Sequence, residues 1–238
     1  ASTMLKQADR AMYHSKERGK NMYSFYTDEM SRIVGRKLEI EKYLHGALER
    51  GEFEVHYQAK FELLSGNIVG AEALIRWNNP VLGSVPPYEF IAVAESTRTI
   101  ISIGEFVLTE AIKFIKRTEH FSESPFKIAV NISPRQFNET GVVNKISAIL
   151  EQHLVSPDLL ELEITEGVLM SNNKVIHDTL NAVSQLGISI AMDDFGTGYS
   201  SLNYLRSYPF DVLKIDRSFI SKIADSGSDK ELVQAIIA

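Results

Sequence analysis

The sequence of 238 residues contains no cysteine, which excludes disulfide bonds and thiolate metal ligands. The lack of cysteine is also typical of a reducing compartment such as the cytoplasm. Positive charge is scarce, because 25 Lys and Arg residues stand against 31 Asp and Glu residues and the net charge is -6. This balance argues against a groove that binds nucleic-acid polymers through positive potential. It remains compatible with a phosphate ligand if a bound metal supplies the positive charge.

Long apolar runs are also missing. No run reaches the length of a membrane span, and the N-terminus lacks the apolar core of a signal peptide. The first residues already follow the pattern of the middle of a helix, so we expect that the chain begins within a longer protein. Whether a membrane anchor lies upstream stays open.

The N-terminal part of the chain is more charged than the rest. Apolar residues at helical spacing predict a helix over 4–18 and a second helix over 28–50, separated by a short strand-like stretch over 22–26. We interpret residues 1–27 as the tail of one domain, residues 28–50 as a connecting helix and residues 51–238 as the main domain.

Strands alternate with helices in the main domain. Strands are predicted over 53–57, 68–77, 126–132, 160–165, 188–193 and 211–216. Apolar residues at helical spacing predict helices between them, among others over 102–117 and 142–153. Repeated units of one strand and one helix predict a parallel sheet covered by helices. An open doubly wound sheet and a closed barrel both fit this periodicity. Polar residues at the C-terminal ends of many different strands favour the barrel.

Acidic side chains appear in predicted strands that have no solvated face. Glu72 lies in an otherwise apolar strand, where a carboxylate is costly unless it is paired or bound to metal. Glu163 shares its strand face with Glu161, and a covered parallel sheet offers no solvent to either side chain. A simple alternative stays open, in which Glu72 pairs with Arg76 two positions along the same face.

The stretch 193–198, with the sequence Asp-Asp-Phe-Gly-Thr-Gly, is the most informative one. Repulsion disfavours the adjacent carboxylates of Asp193 and Asp194 unless a cation is present, and the glycines permit close approach of the backbone. Asn131 lies near the end of another predicted strand. A plain Asp-rich turn and a turn or helix cap formed by Asn131 are the alternatives.

Lys214 and Asp216 share one face of the last predicted strand. A lysine near carboxylates could orient or deprotonate a water or neutralise a phosphate, and a salt bridge to Asp216 or to another acid is the alternative. Oxygen ligands without histidine or cysteine point to Mg²⁺ or Mn²⁺ rather than zinc. Two such ions about 3.5–4 Å apart could clamp the attacking and leaving oxygens of a phosphoryl displacement. The residues therefore predict a metal-dependent phosphodiesterase.

Six motifs in order resemble those of EAL domains, the bacterial cyclic di-GMP phosphodiesterases. They stand at 57–58, 72–77, 131–133, 163–166, 193–198 and 214–216. The resemblance extends from about residue 38 to the end. It implies a TIM-type (β/α)8 barrel with an irregular first strand, and hydrolysis of cyclic di-GMP to linear pGpG with Mg²⁺ or Mn²⁺.

The resemblance also implies a two-metal site. By position, the first metal would be bound by Glu72, Asn131, Glu163 and Asp193. Asp193 would bridge to the second metal, which Asp194 would also bind.

Further roles follow from the resemblance. Lys214 would act on the nucleophilic water, Asp216 would support the site, and Glu166 would order the loop after its strand. Contacts to the dinucleotide would come from Gln58, Leu74 and Arg76.

Residues 8–21 resemble the closing helix of a GGDEF domain, although the GGDEF signature itself is absent and cyclase activity is excluded for this chain.

Three positions depart from the EAL pattern. Ala59 replaces a proline, Arg98 replaces a glycine, and Gly167 replaces the serine that usually follows Glu166. The last change concerns the loop that Glu166 would hold.

The family's last two strands are absent from this sequence, together with a Glu-Gly-Val-Glu motif that would supply a ligand of the second metal. A full barrel needs about 250 residues, more than the stretch after Gly51 provides. We therefore expect a barrel that is truncated before its last two strands, and little activity from this chain by itself. The parent protein is expected to be active.

The alternative function is a weak or inactive EAL domain that acts as a cyclic di-GMP receptor or scaffold. We expect cyclic di-GMP as the ligand and a homodimer formed through the EAL domain. The parent protein is expected to carry GGDEF and sensory domains upstream, in the cytoplasm or anchored to the inner membrane.

Overall fold

A computed structural model describes residues 4, 5, 7–9, 11, 12, 21, 23–118, 126–169, 174–196, 207–221, 223 and 227–237. The chain forms two compact units. One contains Ala1–Phe53 and Trp77–Thr99, and the other contains Glu54–Arg76 and Ile100–Ala238. None of the described helices combines the length and the apolar character that a membrane span requires.

The strands of the described residues belong to one sheet. They are β1 (Phe53–Phe61), β2 (Ile68–Asn79), β3 (Gly83–Val85), β4 (Lys127–Asn131), β5 (Leu160–Thr165), β6 (Ser189–Phe195) and β7 (Val212–Ile215). The described α-helices are α1 (Asp28–Leu44), α2 (Pro87–Thr97), α3 (Ile100–Thr118), α4 (Pro134–Phe137), α5 (Val142–His153), α6 (Glu166–Leu169), α7 (Lys174–Gln185), α8 (Arg217–Ile220) and α9 (Gly227–Ile237).

The sheet has the strand order β1-β2-β4-β5-β6-β7, and β3 pairs with β2. The ladders from β2 through β4, β5 and β6 to β7 are all parallel. The parallel sheet predicted from the alternation of strands and helices is therefore confirmed. Since parallel strands run in the same direction, the C-terminal ends of β4, β5, β6 and β7 lie along the same edge of the sheet.

Apolar side chains between the sheet and its helices form the core of the larger unit. Strand β5 is buried almost throughout, and its Leu162 and Ile164 have no exposed surface. Helix α3 buries Ile103, Val107 and Ala111, which follow helical spacing as predicted. The bounds of β5 and α5 are those that the sequence predicts.

The N-terminal segment differs from prediction in two places. The helix predicted over 28–50 begins at Asp28 but ends at Leu44, because the chain turns at Gly46, which has a φ of 73°. Residues 23–27 are not in a strand, so the strand-like stretch predicted over 22–26 is wrong for them. The described residues of 4–12 are helical as predicted, and residues 13–18 of that predicted helix lie outside the described part.

A buried carboxylate stabilises the smaller unit. Glu52 is 8% exposed, and it accepts hydrogen bonds from Trp77 Nε1 and Asn79 Nδ2, each at 2.9 Å. Arg50 donates to its other oxygen. Burial alone would raise the pKa of Glu52, but these donors, led by Arg50, lower it to about 2.

We expect Glu52→Gln to lower the free energy of unfolding at neutral pH by about 1–3 kcal/mol, because a charge-assisted network is lost. The folded pKa lies below the ordinary value of 4.5, so the carboxylate stabilises fully above that value and loses its effect as the pH falls towards 2. Urea unfolding followed by the fluorescence of Trp77, the single tryptophan, measures both effects.

The control for this prediction is Glu49→Gln, which removes the same charge from an exposed side chain. It should change the unfolding free energy little. A difference between wild type and Glu52→Gln that stays constant from pH 7 down to about pH 3 would contradict the prediction.

Candidate active site

Four of the predicted ligand residues come from four neighbouring strands. Glu72 lies on β2, Asn131 ends β4, Glu163 lies on β5 and Asp193 lies on β6. The register places Asn131 beside Glu163. Asn131 Nδ2 donates to Glu72 Oε1 at 2.7 Å, so its amide is part of the site.

Lys214 of β7 lies among three of these carboxylates. Its Nζ donates to Glu163 Oε2 and, at 2.9 Å, to Asp193 Oδ2. It is also 3.5 Å from Glu72 Oε2. Of the salt bridges that the sequence leaves open for this lysine, the described contacts favour those to other acids of the site over one to Asp216.

The charge of Lys214 is set by these neighbours. Burial alone would lower its pKa, but the hydrogen bonds and negative charges, above all those of Glu163, raise it above its ordinary value. Lys214 is therefore a charged hydrogen-bond donor in this arrangement. A charged ammonium can orient a water or neutralise a phosphate, but it cannot take up a proton.

An irregularity in β6 explains how two adjacent aspartates reach one site. Alternation along a strand would send them to opposite faces. The register passes from Met192 beside Leu213 to Phe195 beside Ile215, so the two aspartates of β6 stand opposite a single residue of β7, Lys214. Such a bulge turns the strand locally and re-aims its side chains.

Asp194 takes the left-handed conformation in this bulge, with a φ of 57°. Aspartate tolerates that region better than most residues do. Partial burial, together with the negative charges of Asp193 and Asp216, raises the pKa of Asp194. Repulsion between adjacent carboxylates, inferred from the sequence, is therefore present in the fold.

Gly196 is required where it stands. Its φ is 98°, and a Cβ there would come within 2.8 Å of the ring of Phe219. Any other residue would have to displace the ring of Phe219 on α8 and also adopt this left-handed φ. Thr197 and Gly198 of the same motif lie outside the described residues.

Asp216 has a local structural role. It is the N-cap of α8 and accepts hydrogen bonds from Ser218, whose backbone N lies at 2.9 Å. The hydrogen bond from the Ser218 side chain has the larger effect and the one from its backbone N–H the smaller, and both lower the pKa of Asp216. The predicted support of the site by Asp216 stays a prediction.

The residues predicted to contact a dinucleotide lie on β1 and β2. Gln58 is exposed, while Leu74 and Arg76 are half-buried. Arg76 Nη1 donates to the carbonyl of Ile75 at 2.9 Å. Glu72 contacts Asn131 and Lys214. The described contacts therefore do not favour the alternative pairing of Glu72 with Arg76.

Glu166 is buried, with 5% exposure, at the first residue of α6 directly after β5. The segments 170–173 and 197–206 lie outside the described residues, so its predicted effect on a loop stays a prediction. A Cβ on Gly167 would meet only Thr165 Oγ1, at 3.9 Å. The departure from the usual serine is therefore not imposed by lack of space.

The chemistry of this donor set fits a hard divalent cation, because it consists of carboxylate and amide oxygens. In the described part of the chain, however, no three His, Cys, Asp or Glu side chains form a ready-made metal cluster. The carboxylates of Glu72, Glu163 and Asp193 instead form ion pairs with the Lys214 ammonium. A divalent cation would compete with this ammonium for the same oxygens.

One charged residue beside these carboxylates, Lys60 on β1, was not predicted from the sequence. Its Nζ lies 2.7 Å from Glu161 Oε1 and 2.8 Å from Glu163 Oε1. Lys60 is two residues after Gln58 and therefore lies on the same face of the strand. That alternation was the available signal, but it does not reveal which acid the lysine meets.

The fold and these side chains define an α/β domain with an acidic site at the C-terminal edge of its parallel strands. The profile of the EAL domain family matches residues 41–238. The match covers most of the chain, so the chain belongs to the EAL domain family. EAL phosphodiesterases generally depend on divalent metals.

Curated relatives carry names that agree with this family. The bifunctional diguanylate cyclase/cyclic di-GMP phosphodiesterase MucR of Pseudomonas aeruginosa is 40% identical over 231 residues, 97% of this chain and 34% of that protein. The cyclic di-GMP phosphodiesterase NbdA of the same organism is 37% identical over 235 residues, 99% of this chain and 30% of that protein. The chain thus spans about a third of the length of these relatives.

Solved structures share the fold. The PaMucR phosphodiesterase in complex with c-di-GMP matches with a TM-score of 0.79 at 39% identity, over 84% of this chain and 81% of that chain. This structure and the other solved structures that match the chain are EAL domains with a TIM-like barrel. The predicted fold class is confirmed, whereas the GGDEF-like tail stays a prediction.

We expect Lys214→Met to lower the free energy of unfolding without added metal by about 2–4 kcal/mol, because the buried Glu163 loses one of its cations and Asp193 loses its partner. Chemical denaturation measures this loss. The control is Lys113→Met, which removes a half-exposed pair with Glu110 and should cost less than about 0.5 kcal/mol. Equal losses in both variants would contradict the prediction.

Proposed function

We propose that this EAL domain is a hydrolase that cleaves cyclic di-GMP to linear pGpG with Mg²⁺ or Mn²⁺, in bacterial second-messenger signalling. One observation carries the proposal. Carboxylates from three strands, Glu72, Glu163 and Asp193, lie around the Lys214 ammonium. Asn131, from a fourth adjacent strand, is hydrogen-bonded to Glu72. The names of the curated relatives support the choice of substrate.

The proposed ligands of the first metal are Glu72, Asn131, Glu163 and Asp193. Asp193 would bridge to a second metal that Asp194 also binds, and the bulge that sets both aspartates opposite Lys214 supports this pairing. When bound, such ions supply a nucleophilic water at neutral pH and stabilise charge on the phosphate.

The chain's own residues would bind and orient the substrate. Gln58, Leu74 and Arg76 would contact the dinucleotide. Lys214 would donate a hydrogen bond to the attacking water or to a phosphate oxygen. Glu166 and Asp216 would support the segments on either side of the site, since one begins α6 and the other caps α8.

The proposal extends to partners and location. We propose a homodimer formed through the EAL domain, a GGDEF domain upstream in the parent protein, and a cytoplasmic place of action. The name of MucR, which joins a cyclase to a phosphodiesterase, supports the domain partner. Light scattering of the full-length protein tests the dimer, and a strictly monomeric mass would contradict it.

The full-length natural protein should convert cyclic di-GMP to pGpG with Mg²⁺ or Mn²⁺, as measured by chromatography of the products. We expect Glu72→Gln to lower the rate by about 100-fold or more, because a charged oxygen ligand is replaced by a neutral amide. Glu151→Gln, at an exposed position of α5, is the matched control and should retain the wild-type rate.

The outcomes separate the two functions that the sequence leaves open. Binding of cyclic di-GMP without pGpG at saturating metal would establish a receptor or scaffold instead of an enzyme. Absence of both binding and turnover would contradict both functions.

A further inference from the structure

Lys60 reaches across the inner side of the sheet. It lies on β1, whereas its two partners lie on β5, which is not a neighbour of β1 in the strand order. Its Nζ is 2.7 Å from Glu161 Oε1 and 2.8 Å from Glu163 Oε1. Glu161 and Glu163 are two residues apart and share one face of β5. One ammonium therefore bridges two carboxylates.

The two oxygens of Glu163 have different partners. Oε1 accepts from Lys60, and Oε2 accepts from Lys214. The side chain of Glu163 has no exposed surface, whereas those of Lys60 and Lys214 are 32% and 24% exposed. Because water does not reach this carboxylate, its orientation is set by the two lysines.

The two lysines are not equivalent with respect to a cation. Lys214 shares its side of Glu163 with Asp193 and Glu72, which are proposed metal ligands. A divalent cation there would compete with Lys214 for Oε2. Lys60 holds the other oxygen together with Glu161, which is not one of the proposed ligands.

We propose that Lys60 is a positioning residue that holds Glu163 Oε1 and thereby directs Oε2 towards the divalent cation. Lys60 lies outside the six motifs that carry the family resemblance. The inference rests on the proposed function, since it concerns the same metal site. Partners that orient a metal ligand commonly change metal affinity by about 10–100-fold when they are removed.

The test is the affinity of the full-length protein for Mn²⁺ without substrate, measured by isothermal titration calorimetry. We expect Lys60→Met to weaken Mn²⁺ binding by about 10-fold, because Glu163 loses its fixed orientation. We expect Lys60→Gln, which keeps a hydrogen-bond donor without the charge, to recover most of the affinity. A purely electrostatic role predicts the opposite sign, because removing a nearby positive charge would tighten the binding of a cation.

A second variant guards against loss of the fold, since Lys60→Met leaves Glu161 and Glu163 buried beside each other. The double variant Lys60→Met with Glu161→Gln removes one charge of each sign and keeps the balance. It should fold and still bind Mn²⁺ about 10-fold more weakly than wild type. The control is Lys145→Met, an exposed lysine 3.1 Å from Glu105, which should leave the affinity unchanged.

Failure of this inference differs from failure of the proposed function. If wild type binds Mn²⁺ and the double variant binds it equally well or more tightly, the role of Lys60 is overturned and the metal site stands. If wild type does not bind Mn²⁺ at all, both the metal site and the role of Lys60 are overturned.

Discussion

The carboxylate of Glu163 has no exposed surface and lies between the ammonium groups of Lys60 and Lys214, and the described site depends on these two contacts. A buried carboxylate that loses its cation typically costs several kcal/mol, so both lysines stabilise the buried charge of Glu163. They come from β1 and β7, at opposite ends of the strand order. Side chains from both outer strands of the sheet, β1 and β7, thus form ion pairs with one carboxylate on β5.

The same charge relations connect the fold to the proposed chemistry. Lys214 forms ion pairs with Asp193 and Glu72 as well as with Glu163. The carboxylate oxygens that would bind a cation therefore already lie around a positive charge. Asn131 joins them through Glu72. An acidic domain can thereby take a phosphate ligand, because its acids would hold the cations that the phosphate needs.

Much of the larger unit could be predicted because its signals are local. Helix α5 and strand β5 have the predicted bounds, since helical spacing and a short apolar run are read from consecutive residues. The end of α1 was missed, because apolar residues continue at helical spacing beyond Leu44 while Gly46 turns the chain. The strand-like stretch at 22–26 was wrong for its described residues, since local alternation cannot supply a strand with a pairing partner.

The sequence by itself determined the types of donor, their position at strand ends and the absence of sulfur and imidazole ligands, because these follow from residue identity and alternation. Only the tertiary structure decided which groups meet. The bulge in β6 set Asp193 and Asp194 opposite Lys214, and Asp216 became a helix cap. Lys60 reached Glu163 across 103 positions of the chain. Such contacts depend on the register and curvature of paired strands, which no local pattern encodes.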